Sequence, residues 1–191
     1  MKLKNPFECL SIRGQKHAFV ILLILTLTVM LGLQVINSPL KNEMAPYGII
    51  SFEFVGHLYQ AKNIVESWGQ KGQVYAGLSL GLDYLFLVFY AGSIGLGCVL
   101  AGRSLSRRRE LFSSVGINLA WGQICAALLD GVENYALIRV LIGSEQEVWP
   151  ALARWCAIPK FLIVMSGLAY IIIGIIAVMV ISAREREEPA A

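Results

Sequence analysis

Four long stretches of this chain are nearly free of charge, and they organise the rest of the reading. Ala18 to Ile36 is apolar throughout, and residues 74–101, 111–141 and 155–183 form three further runs interrupted by only a few charged positions. A helix needs about 20 mostly apolar residues to cross roughly 30 Å of hydrocarbon. The pattern therefore predicts spans at 18–36, 74–101, 111–141 and 155–183, forming one transmembrane domain over residues 1–191. The expected fold class is all-α, an integral-membrane four-helix antiparallel bundle.

The longest interruption lies between the first two spans. It opens with the turn-formers Asn37, Ser38 and Pro39, followed by Pro46, Tyr47 and Gly48. Beyond them Ile50, Phe54, Leu58, Ala61, Val65 and Trp68 recur at spacings of four and three, one face of a helix. This predicts an additional amphipathic helix over 47–68 in the first outer loop, with Glu53, His57, Gln60, Lys62 and Glu66 opposite the apolar stripe and Gly69 and Gly72 ending it. Such a helix either floats at the interface, with Phe54, Leu58, Val65 and Trp68 in lipid, or closes over the bundle as a lid with His57 directed inward above Asp83. Trp68, Tyr75, Trp149 and Trp155 fall at the outer ends of the spans, as interfacial aromatic anchors do.

Composition agrees with a membrane protein. Hydrophobic residues make up 57% of the 191 positions and charged residues 15%, with a mean hydropathy of +0.65. Ordinary soluble domains run at about 45–50% and about 25%, which excludes a soluble enzyme, a nucleic-acid binder or a disordered chain. The basic residues fix an orientation. Lys2, Lys4, Arg13 and Lys16 precede the first span, Arg103, Arg107, Arg108 and Arg109 follow the second, and Arg184 and Arg186 follow the fourth. Basic loops stay on the cytoplasmic side, so the expectation is a multi-pass protein of the plasma (inner) membrane with both termini cytoplasmic. The first run is too long for a signal-peptide core and lacks a small-x-small cleavage site, so it is read as a retained span.

Close helix contacts in lipid favour small residues. Gly77 and Gly81 form G-x-x-x-G on the second span, with Ala91, Gly92, Ser93, Gly95 and Gly97 further on, and Gly116, Ala120, Gly122, Ala126, Ala127 and Gly131 line the third. Spans two and three should form the tight centre, with spans one and four outside it, and homo-oligomer contacts are the other use for such stripes.

The chemistry lies in acids within the spans. An intramembrane charge costs about 2.5–3.5 kcal/mol on insertion scales and faces a bundle interior or a wet cavity. Asp83 and Glu133 each sit about eight residues from the outer ends of antiparallel spans, roughly 12 Å deep at 1.5 Å per residue, with Asp130 one turn deeper. Gln123, Ala127, Asp130, Asn134 and Leu137 follow helical spacing, and Ser79, Asp83 and Tyr90 share a sector of span two. Glu53 and His57 at i and i+4 could reach one ligand from above, and Lys160, Arg139 and Arg154 supply positive charge at the outer surface. The candidate ligand-binding set is Glu53, His57, Asp83, Asp130, Glu133 and Asn134.

Three functions fit this set. One is a protein binding a cation or a small polar or lipid ligand in an acidic pocket open to the outer side, alone or as a subunit of a larger membrane assembly. Another is a structural or accessory protein, in which Asp83 or Glu133 pairs with Arg139 or Lys160, or accepts from Asn134 and Tyr84, and only fixes packing. The third is a metal-assisted hydrolase using His57 with carboxylates, although zinc sites of that kind usually offer at least two His or Cys ligands. No catalytic residues, metal or cofactor are named by any motif. Phosphate-binding and dinucleotide fingerprints are absent, Cys9, Cys98, Cys125 and Cys156 stand singly, and the expected partner is the lipid bilayer, not nucleic acid.

Overall fold

The structure, a computed structural model, describes residues 3–105 and 110–187. All the regular structure described is helical: α1 (Ile12–Asn37), a 3-10 turn (Ser38–Leu40), α2 (Ile49–Phe54), α3 (Leu58–Leu105), α4 (Glu110–Leu141) and α5 (Val148–Glu187). Four of these helices, α1, α3, α4 and α5, are long and apolar enough to cross a membrane, as a multi-pass protein requires. They outrun the charge-free stretches because the polar flanks continue the helices. α1, for example, begins at Ile12, where the Ser11 hydroxyl accepts from the Gly14 N–H at 3.1 Å.

α3 is central. It packs against α4, α1 and α5, and 56% of its most apolar stretch is buried, against 0% for α1. α1 leans on α3 alone among the spans, through Thr26 Oγ1 and Ser93 Oγ at 3.2 Å and through Leu22 over Gly92, where a Cβ would lie 2.8 Å from Leu22 Cδ1. α1 and α5 make no extended contact.

The closest backbone approach is not where G-x-x-x-G predicts. A Cβ on Gly81 would meet nothing within 4 Å, and one on Gly77 only Leu141 Cδ2 at 3.8 Å. The close approach lies at the opposite end, beside the α3–α4 turn. There a Cβ on Gly116 would fall 2.5 Å from the Cys98 carbonyl oxygen and one on Gly102 3.2 Å from that of Phe112. Tyr170 of α5 donates to the same Phe112 carbonyl at 2.6 Å. The N-terminal segment is tied in at this end too: Gln15 Nε2 donates to the carbonyls of Phe7 and Leu10 at 2.9 and 3.0 Å, and Arg103 donates to Gln15 Oε1 at 3.2 Å. The basic turn residues Arg107, Arg108 and Arg109 lie outside the described residues.

The loop helix expected over 47–68 is instead two pieces. Gly56 adopts φ 72°, a conformation that side-chained residues avoid, and a Cβ there would strike Arg154 Cδ at 2.7 Å. Helix resumes at Leu58, whose N–H donates to Glu147 Oε2 at 2.9 Å. Gly69, at φ 58° and ψ −177°, then interrupts α3 between its loop segment and its span. The apolar stripe turns into the protein. Leu58, Ala61 and Trp68 are buried with Leu40, Ala45 and Phe52 against Leu80, Ala136 and Leu137. Trp68 Nε1 donates to the Leu40 carbonyl at 2.7 Å, and its ring meets Phe52 edge-on at 5.4 Å. Trp68 is thus part of a core, not an interfacial anchor, whereas Trp155 is exposed.

A cavity walled by hydrocarbon and carboxylates

The polar face foreseen on α4 converges on one residue of α5. Lys160 Nζ donates to Asp130 Oδ1 at 2.9 Å, lies 2.7 Å from Glu133 Oε2 and stands 3.9 Å from Glu53 Oε2. Glu133 is wholly buried and Lys160 nearly so. One turn above Asp130, Asn134 Nδ2 donates to Asp83 Oδ2 at 2.6 Å and so links α4 to α3. Three carboxyl groups, those of Asp130, Glu133 and Glu53, therefore share one ammonium, while Asp83 is held by an amide. Burying charge is tolerated only when it is paired, and here the groups come from α2, α3, α4 and α5.

Local sequence explains how each group arrives. Asp130, Glu133 and Asn134 sit at spacings of three and four on the α4 face that meets α3 and α5. Lys160 follows Pro159, the proline inside α5, which cannot donate to the carbonyl one turn earlier. Glu53 is delivered by α2, whose start is pinned by the last residue of α1: Asn37 Oδ1 accepts from the Ile49 N–H at 2.8 Å and Asn37 Nδ2 donates to the Tyr47 carbonyl at 3.3 Å. Phe52 anchors α2 in the loop core, and the adjacent Glu53 is carried into the cluster. Burial pushes the Glu53 carboxyl above its ordinary range, Lys160 opposes this, and the charge of Asp130 adds to it.

The structure corrects the expectations for His57, Lys160, Arg139 and Tyr84. His57 does not join Glu53, because the break at Gly56 separates them; His57 is exposed and outside the cavity wall. Lys160 is not an outer-surface charge but the centre of the cluster. Arg139 stacks instead on the Trp149 ring, with Cζ 5.2 Å from its centroid. Tyr84 donates to the Gly131 carbonyl at 2.9 Å rather than to an acid. Asp83 and Glu133, at matched depths on their spans, take different partners, Asn134 and Lys160.

Beside the cluster lies a cavity of about 640 Å³, within the range of about 300–1,000 Å³ typical of ligand pockets. Glu53, Asp83, Asp130, Asn134 and Lys160 form its polar belt, and Lys41 and Tyr47 stand at the loop end. Towards the middle of the molecule the wall is mainly hydrocarbon, Leu23 and Leu27 from α1, Phe86 and Ile94 from α3, Val164 and Leu168 from α5, with the hydroxyls of Thr26 and Ser93 bonded to each other. The cavity occupies the gap that α1 and α5 leave open. Tyr90, 5% exposed, also lines it, and its hydroxyl has no hydrogen-bond partner among the described residues; the same is true of Glu53 Oε2. Among the described residues no group of three or more His, Cys, Asp or Glu side chains is arranged to hold a metal ion. Lys160 occupies the space between Asp130 and Glu133.

Comparison with known protein families, with characterised proteins and with solved structures finds no match for this chain. The site must therefore speak through its own chemistry.

Proposed function

We propose that this chain is a small polytopic membrane protein, its four spans forming an antiparallel bundle, that binds a small polar or amphipathic ligand in an acidic pocket between them. The supporting observation is the cavity that joins a belt of three carboxylates and one lysine to apolar walls. Intramembrane ionisable groups facing a cavity are the usual mark of a binding or transport path. With both termini cytoplasmic, as the basic residues imply, the pocket lies in the outer half of the membrane. A direct test is mass spectrometry of whatever small molecule copurifies with the detergent-solubilised protein. The expected result is a bound species retained by the native chain and depleted in Asp83→Asn, since Asp83 faces the cavity and its exchange leaves the Lys160 pairs intact. Orientation is tested separately by labelling cysteines introduced at Ser106 and Glu145 after replacement of the exposed Cys9 and Cys125. Glu145 should label from outside and Ser106 should not.

A second reading draws on the Lys160 pairs themselves. Lys160 compensates Asp130 and Glu133, and Asn134 compensates Asp83, which is what a protein using its acids only for helix register requires. On that reading Asp83→Asn changes stability and no ligand is lost. The hydrolase reading has no such support, because His57 faces away from the carboxylates.

A further inference from the structure

Resting on the binding function proposed above, we infer that the ligand is a cationic amphiphile, an ammonium head on a hydrocarbon tail, seated with its head at Asp83 and Tyr90 and its tail along the gap between α1 and α5.

The head follows from what the cluster leaves unpaired. Among the described residues Lys160 is the one ammonium of the cluster, and its ion pairs reach Asp130, Glu133 and Glu53 but not Asp83, which is met only by the uncharged amide of Asn134. Lys160 and Asp130 line the cavity too, but the ammonium is engaged by Asp130 and Glu133 at 2.9 and 2.7 Å. The cavity side also holds Asp83, whose Oδ2 is taken by Asn134 and whose Oδ1 has no hydrogen bond among the described residues, and the Tyr90 hydroxyl, which has none either. These groups are acceptors, or in the case of a hydroxyl an acceptor and donor, at the edge of a low-dielectric region. A group with several N–H donors and a positive charge satisfies them; an anion or a neutral hydrocarbon does not.

The tail follows from the wall. Below the acids the lining is Leu23, Leu27, Phe86, Ile94, Val164 and Leu168. From Asp83 to Ile94 is about 16 Å along α3 at 1.5 Å per residue, the reach of an extended alkyl chain. α1 and α5 do not close over this stretch, so a tail has a way in from the side. A small hydrated cation would leave that wall uncovered, whereas an amphiphile fills both parts of the cavity.

The test uses the whole protein in detergent, with retained ligand read by native mass spectrometry and affinity by thermal shift. The probes are dodecylamine, dodecanol, dodecanoate and methylamine. Dodecylamine should bind at one per chain and at least tenfold more tightly than the other three. Asp83→Asn should weaken it at least tenfold. Leu168→Trp, which fills the apolar part without touching the acids, should weaken dodecylamine while leaving the fold intact. Phosphatidylethanolamine as a further probe separates the two sources of such a head: displacement of dodecylamine by it identifies a membrane aminolipid, and absence of displacement identifies a free long-chain amine. Equal binding of dodecanol overturns the ammonium requirement. Equal binding of methylamine, insensitive to Leu168→Trp, overturns the tail and leaves a small-cation pocket, with the proposed function standing. Should no probe bind and Asp83→Asn alter only stability, both the inference and the binding function fail.

Discussion

The two ends of the molecule solve the same packing problem in opposite ways. Beside the α3–α4 turn, glycines bring backbones together: Gly116 lies against the Cys98 carbonyl, Gly102 against Phe112, and Tyr170 of α5 closes the contact with a hydrogen bond. At the loop end the G-x-x-x-G pair Gly77 and Gly81 lies open, and the helices are held by charge and by a folded cap. Lys160 gathers acids from α2 and α4 there, Asn134 reaches Asp83 on α3, and Trp68 ties the cap to Leu40. Small residues make a dry clamp that leaves no room for anything else. Long polar side chains hold helices at a distance, and the cavity occupies the space they keep open.

Removing the hub of the loop end should have the largest effect. Lys160→Met leaves Asp130 and Glu133 buried without their cation, a change that costs about 3–5 kcal/mol when one partner of a buried pair is lost. Thermal unfolding in detergent should show it as a steep fall in melting temperature. Adding Glu133→Gln should recover part of the loss, and a double variant no better than Lys160→Met alone would mean the ion pair is not what holds this end. At the clamp, Gly116→Val should cost about 1–3 kcal/mol by overpacking, because the nearest obstacle is the Cys98 backbone and cannot swing aside. Gly81→Val, on the same kind of motif but in open space, should cost little by comparison, and equal losses for the two would erase the contrast between the ends.

The smallest effect concerns pH. Burial raises the Glu53 carboxyl above its ordinary range, so the folded chain holds that proton to higher pH than the unfolded chain does. The associated stability is complete below the ordinary carboxyl range and is lost as pH rises through the raised value. Stability measured from about pH 5 to about pH 8 should therefore decline less in Glu53→Gln than in the native chain. A steeper decline in the variant would contradict the placement of Glu53 in the cluster. No such trend is expected from Glu145, exposed and paired with Lys62 at 2.9 Å, whose carboxyl the lysine holds below its ordinary range, because exposed pairs contribute little.

How far the sequence revealed these two ends depended on the range of the signal. The spans were legible because a run of apolar residues reports on its own burial. The α4 face of Asp130, Glu133 and Asn134 was legible because its spacing is local. Lys160 carried a weaker clue, as the lone charge of the fourth apolar run, but whether a lysine snorkels outward or turns inward depends on the neighbouring helix. Gly56 was the missed clue in the loop. The apolar spacing runs straight across it, yet its left-handed backbone divides Glu53 from His57 and sends the two to opposite sides. The small residues showed that α3 and α4 can approach, and not which of their glycines make the contact.

The place of Lys160 along the chain bears on how the protein is made. Glu53, Asp83, Asp130 and Glu133 all precede it, so every acid of the cluster leaves the ribosome before the one cation that compensates them. α1 is apolar enough to rest in lipid unaided, and Asp83 of α3 finds its amide on α4, but Asp130 and Glu133 of α4 have their cation only once α5 has been synthesised. The polar belt is therefore complete only when α5 has joined the helices made before it.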